Sequence, residues 1–219
     1  CALPIFSSEA AVVMENTTNT ILYSKNADEV LFPGSTVKIM TCLLALENTQ
    51  LTDEVTMTAT GVSGVTDGGA SISSQVDEVF TVEQCLYAIM VASANDIALQ
   101  IAEHVGGSVD GFVQQMNTRA QELGCTNTVF TNPTGLPDDN QHTTAHDMAL
   151  IMQAAIQNES FRTIAAATSY TIPATNKAAA RNLTSKFTMT DTGSTGFYEG
   201  CIGGKEGYTE ASGSTLVCA

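Results

Sequence analysis

Apolar residues recur along this chain at two spacings. Ala10–Met14 is a short apolar run, Asn16–Thr20 is polar and turn-like, and Ile21–Ser24 is apolar again, which predicts a β-hairpin. Pro33-Gly34 breaks the chain. From Ser35 onward, Val37, Ile39, Met40, Leu43, Leu44 and Leu46 keep helical spacing. Residues 48–80 are rich in Thr, Ser, Gly and Asp and predict an irregular segment with short strands. Thr81-Val82-Glu83-Gln84 is a capping box that opens an apolar helix through Ala92. Ser93-Ala94-Asn95-Asp96 interrupts it, a second helix runs from about Asp96 to Val105, and Gly106-Gly107 ends that one. Another helix spans about Val109–Leu123 and stops at Gly124. Thr131–Asn140 is a loop, and Thr144-Ala145-His146-Asp147 is a capping box before a helix at Met148–Gln157. Ser169–Ile172 is β-prone, and Gly200–Tyr208 and Ser214–Cys218 predict two strands joined by Thr209–Gly213. Strands open and close the chain, with helices between. The expected class is α+β: the N- and C-terminal strands form one antiparallel sheet, with a helical region at about 48–165 inserted between them. No fixed-period repeat or low-complexity linker divides residues 1–219, so a single domain is expected.

Charge narrows the partners. The 219 residues hold 23 acidic against 8 basic side chains, a net charge of −15. Eight cations cannot line a phosphate-binding surface, so nucleic acid is a poor partner. A hydrophobic content of 43% supplies enough apolar surface to offset ordering entropy, which excludes gross disorder. No stretch approaches the roughly 20 apolar residues of a membrane span. Cys1-Ala2-Leu3-Pro4 is not a signal peptide, so the chain is either cytoplasmic or has lost one. An N-terminal Cys fits lipidation, but a cut made there would read the same. Six cysteines include no C-x-x-C pair, which argues against zinc or a redox motif. Cys42 and Cys85 sit in helical apolar runs and are expected as buried thiols. Cys201 and Cys218 flank the last hairpin, and the sequence does not decide whether they pair.

Three stretches could carry chemistry. In Ser35-Thr36-Val37-Lys38 the hydroxyl and the amine share a helix face, and a lysine of lowered pKa can take a serine's proton. Alone the pattern is common by chance, and Ser35 also suits a helix N-cap. Ser93-Ala94-Asn95 lies on a connector between two apolar helices, yet it also reads as part of a capping box. Gly203-Gly204-Lys205-Glu206-Gly207 lies on a terminal strand where glycines admit close approach, although Lys205 also fits a solvated edge charge. His142 and His146 are four apart, but no Glu follows His142 as a zinc helix requires, so no metal is expected. His104 reads as a helix C-terminal residue. Asn16-Thr17-Thr18 and Asn182-Leu183-Thr184 match the glycosylation pattern without further support.

The ordered set S-x-x-K, S-x-N and K-x-G resembles the penicillin-recognising serine enzymes. Within them the chain resembles the D-alanyl-D-alanine carboxypeptidases, the low-molecular-mass penicillin-binding proteins. Val12–Met14 with Ile21–Asp28, Pro33–Thr41, Asn132–Leu136, Thr143–Asp147 and Gly207–Ala211 carry the likeness further, so that it covers nearly the whole chain. The resemblance implies a β-lactamase/transpeptidase-like fold. It implies Ser35 as nucleophile, Lys38 as base, Ser93 as proton relay, Asn95 as substrate and lysine holder, and Lys205 as a positive charge beside Ser93. Glu206, Gly207 and Tyr208 would line the substrate, with the Ser35 and Tyr208 N–H groups as the oxyanion hole. It further implies peptidoglycan stem peptides ending in D-Ala-D-Ala as substrate, β-lactams as inhibitors, no cofactor, and a place in the bacterial cell envelope with the signal peptide removed.

Two departures stand out. The family strand motif is K-T-G or K-S-G, whose hydroxyl binds the substrate carboxylate, whereas here the middle residue is Glu206. The family also continues past Ala219 through a further strand, a helix and often an anchored domain, so the chain is expected to be C-terminally incomplete, with any membrane association lying in absent segments. The rivals are a β-lactamase of the same fold, opposed by the lack of an E-x-x-L-N stretch, and a β-lactam or cell-wall binding module whose catalysis has decayed.

Overall fold

The helix that begins after Pro33 lies at the centre of the molecule. In the computed structural model, which describes residues 7–65 and 69–219, α1 spans Lys38–Asn48 and every residue from Lys38 to Ala45 is buried. A helix apolar on all sides must be covered on all sides. α3 (Val82–Val91), α4 (Asn95–Gly106), α5 (Val109–Glu122), α6 (Ala145–Ala155) and α7 (Glu159–Ala165) all pack on it. One hydrophobic cluster runs through these helices, from Val37 to Leu183. Cys1 and the lipidation it suggested lie outside the described residues.

Local chemistry sets the helix ends. Thr81 and Gln84 close the expected capping box on α3. Ser108, Thr144 and Asn158 each accept a backbone N–H at the starts of α5, α6 and α7. Gly107, with φ of 71°, ends α4 in the left-handed conformation. His104 lies in the last turn of α4. α2 (Ala59–Ser63) and α7 are not evident in the sequence, since five- and seven-residue helices show too little periodicity.

All strands pair antiparallel and in twos: β1 (Ala11–Met14) with β2 (Ile21–Lys25), β3 (Glu54–Thr56) with β4 (Val79–Thr81), β5 (Ser169–Ile172) with β6 (Arg181–Thr184), and β7 (Gly204–Thr209) with β8 (Gly213–Cys218). The terminal strands are therefore the two expected hairpins, joined through α6, which packs on both β1 and β8. The correction to the single-sheet expectation is that no ladder links β1 to β8 among the described residues. Each hairpin closes through its own short turn, and those local bonds leave the outer edges independent.

Two side-chain devices tie the β5–β6 hairpin to its neighbours, one at the start of β4 and one on α3. Glu78, with no exposed side-chain surface, accepts from Arg181 at 2.7 Å, from Thr175 and from the Gln75 N–H. Burial raises its pKa, but these bonds outweigh burial and hold it below the usual carboxylate value. Tyr87 and Tyr170 stack with ring centroids 3.9 Å apart. Cys42 and Cys85 are buried thiols, and Cys201 and Cys218 are not joined to each other.

Candidate active site

Ser35 is not an N-cap. It sits inside a 3-10 turn, Gly34–Val37, which precedes α1 and tightens the chain after Pro33. The Thr36 hydroxyl donates to Pro33 O at 2.7 Å and fixes the turn. Thr36, Val37 and Lys38 are buried, whereas Ser35 is half-buried and the most accessible residue of the turn.

Lys38 follows one turn later with no exposed surface. Its Nζ lies 3.3 Å from Ser35 Oγ and 2.8 Å from Asn95 Oδ1, and it also donates to the Thr134 carbonyl. A neutral amine has two protons and one lone pair. Two acceptors and one hydroxyl match that count, so the lone pair is left for the Ser35 proton. Burial and the charge of Lys205 bring the Lys38 pKa down to about 7, while Glu206 pulls the other way. Cys42, one turn further along α1, is pushed up to about 12 by burial, so at neutral pH it is a thiol and gives Lys38 no counter-charge.

The Thr134 carbonyl is a site group that sequence reasoning did not assign. Its loop is built on Asn132, whose Oδ1 accepts from Thr134 N, Thr134 Oγ1 and Gly135 N at 3.1, 2.8 and 2.9 Å. Thr41 of α1 donates to Pro133 O at 2.8 Å and docks the loop on the helix. Gly135 has φ of 82°, and a Cβ there would lie 1.9 Å from Gly34 O. The one sequence signal was the Asn-Pro-Thr-Gly turn.

Asn95 opens α4, with its N–H on Ala70 O and its side chain buried. Asp96 beside it accepts from Ser71 Oγ, Ser74 N and Ser74 Oγ at 2.7, 3.1 and 2.8 Å, which ties segment 70–74 across the helix start. Ser93 is left-handed, with φ of 57°, a costly conformation for a non-glycine residue. It caps nothing: the N-cap of α4 is Ala94, with no side-chain bond. Among the described residues no hydrogen bond joins Ser93 to Ser35, Lys38 or Lys205; the bonded set is Ser35, Lys38, Asn95 and the Thr134 carbonyl.

β7 and β8 both back onto the Ser35 turn. A Cβ on Gly207 would lie 2.7 Å from Ser35 N and 2.6 Å from Thr215 Oγ1. Lys205 is fully buried, not the solvated edge charge of its bland reading, and its Nζ donates to Glu206 O at 2.8 Å and Glu206 Oε1 at 2.9 Å. Burial lowers its pKa, against the opposing pull of Glu206. The Tyr208 side chain is exposed. His142 and His146 point to different partners, Asn140 O and Asp28 Oδ1. Among the described residues no group of three His, Cys, Asp or Glu could hold a metal ion.

Comparison with known proteins gives the family. A profile of the D-alanyl-D-alanine carboxypeptidase family, peptidase S11, matches residues 2–219. D-alanyl-D-alanine carboxypeptidase DacF of Bacillus subtilis is 38% identical over 158 residues, a match that covers 70% of this chain and 40% of that protein. DacB2 of Mycobacterium tuberculosis is 31% identical over 222 residues, covering 99% of this chain and 72% of its own. The crystal structure of the Streptomyces K15 DD-transpeptidase superposes with a TM-score of 0.91 at 29% identity, covering 100% of this chain and 87% of that one. The chain belongs to the D-alanyl-D-alanine carboxypeptidase family of serine peptidases.

Proposed function

We propose that this chain is the catalytic part of a serine DD-carboxypeptidase that removes the terminal D-alanine from peptidoglycan stem peptides outside the cytoplasmic membrane. The observation that carries the reading is the Lys38 amine, buried, held by Asn95 Oδ1 and the Thr134 carbonyl, and facing Ser35 Oγ at 3.3 Å. Ser35 Oγ attacks the carbonyl carbon of the penultimate D-alanine while its proton passes to Lys38 Nζ. The oxygen charge that develops falls to the N–H groups of Ser35 and Tyr208, the residue after the glycine that abuts Ser35. The carbon–nitrogen bond then breaks, and the departing amine takes a proton through Ser93. Water cleaves the Ser35 ester and restores the serine. The strained backbone at Ser93 supports a functional place for it, since such strain concentrates where geometry serves chemistry. β-Lactams would acylate the same serine and remain there.

The test is intact mass after incubation with a penicillin, alongside D-alanine release from a D-Ala-D-Ala peptide. One antibiotic should add per molecule, and Ser35→Ala should lose both the adduct and the release. An adduct that maps to Ser93 or elsewhere would end the assignment.

A further inference from the structure

The cation that β7 brings to the site is already spoken for. Lys205 is an ammonium with three protons to donate, and two of them go to Glu206, one to its backbone carbonyl and one to Oε1. The second carboxylate oxygen, Oε2, is buried and meets no donor among the described residues. The two oxygens thus differ: one neutralises the lysine and the other is an open acceptor. Gly207 touches the Ser35 turn through the space its missing Cβ leaves. A peptide whose scissile carbonyl reaches Ser35 Oγ therefore lies along residues 205–207, within reach of this pair.

An ionised α-carboxyl on the leaving residue would meet an ion pair of zero net charge, whose unpaired oxygen accepts hydrogen bonds just as the carboxylate does. Beyond the pair, Lys186 acts on Lys205 from an exposed position, where solvent screens it. The net charge is −15, Arg119 is paired with Glu47 and Glu122, and Arg181 with Glu78. A primary carboxamide carries no charge, and its N–H supplies the donor that Oε2 lacks.

We propose that Glu206 is a specificity-determining residue that selects leaving groups whose α-carboxyl is carried as a neutral carboxamide, so that the site cleaves peptides ending in, or cross-linked through, an amidated D-residue in preference to the free acid. This rests on the acyl-transfer reading above and specifies its substrate. The reaction is unchanged: the Ser35 ester forms, the carbon–nitrogen bond breaks, and the amine that leaves is an amino-acid amide.

Two N-acylated peptides, one ending in D-alanyl-D-alanine and one in D-alanyl-D-alaninamide, separate the possibilities. The parent protein should release D-alaninamide with a kcat/KM about tenfold above that for D-alanine, since a carboxamide N–H satisfies Oε2 whereas a carboxylate leaves two acceptors facing each other unpaired. Glu206→Thr should erase or reverse that ratio by raising turnover of the acid peptide. Equal turnover of both peptides by the parent, or preference for the acid, overturns the selectivity while leaving acyl transfer intact. Failure of either peptide and of a penicillin to acylate Ser35, read by intact mass, overturns acyl transfer and the selectivity with it.

Discussion

Lys38 should impose a pH dependence on acylation that can be worked out from its surroundings. Burial and Lys205 place its pKa at about 7 in place of 10.5. At pH 7 about half the molecules then carry a neutral amine, against about one in 3,000 for a lysine at its ordinary value. An ammonium has no lone pair for the Ser35 proton. The acylation rate should fall about tenfold per pH unit below about pH 6 and level off above about pH 8. Lys205 and Lys38 feel each other, so the inflexion belongs to the pair. The assay is the pre-steady-state rate of Ser35 acylation by a chromogenic β-lactam across this range. Lys38→Met should lose roughly 10² to 10⁴ in rate, and its residual rate should lack the inflexion. A flat profile in the parent, or an inflexion that survives in Lys38→Met, would refute the assignment of the base. Stability should show the same group. Between about pH 7 and 10.5 the unfolded chain holds a Lys38 proton that the native state has released, so stability rises with pH across that window. Below it the lysine is charged in both states and the cost of burying it, of the order of a few kcal/mol, is felt in full. Urea denaturation of Lys38→Met should show the slope flattened.

Gly207→Ala puts a methyl 2.7 Å from Ser35 N and should slow acylation about 10²-fold, checked by the same pre-steady-state assay with circular dichroism to confirm the fold. Glu78→Ala strands Arg181 and should cost about 3–5 kcal/mol in urea denaturation. Because the folded pKa of Glu78 is depressed, its contribution should be present above the unfolded value near 4.5 and lost as pH falls through the lower folded one. Penicillin hydrolysis should be slow, since the sequence holds no E-x-x-L-N stretch to supply a base for the deacylating water, and steady-state turnover of tens per second would move the protein to the β-lactamase reading.

What the sequence disclosed and withheld follows physical lines. The capping residues Thr81 and Thr144, and the terminal Gly107, are local signals, and the helices they bound lie close to the expected ranges. Ser35 and Lys38 are one helical turn apart, so their meeting follows from spacing alone. Thr134 could not be found that way, because its contribution is a backbone carbonyl that any residue carries, brought to Lys38 from 96 positions away. The Ser93 capping-box reading failed because the chain turns left-handed there, which residue type does not reveal. The pairing of Lys205 with Glu206 was likewise hidden, since neighbours on an ideal strand point to opposite faces.

The seat of the nucleophile is made of bare main chain. Gly135 lies against Gly34 and Gly207 against Ser35, at separations where one added carbon would come within 1.9 and 2.7 Å of backbone atoms. Such a seat has no rotamers to settle when a substrate arrives, so its geometry is spent once, on folding, and is ready before each encounter. It is also closed to gradual change. A side chain can be lengthened or repolarised in small steps, but a glycine that touches backbone offers no intermediate step. Divergence in what such a site accepts must therefore come from the rim, where Glu206 and Tyr208 still carry side chains, while Ser35 stays in a socket that variation cannot reshape.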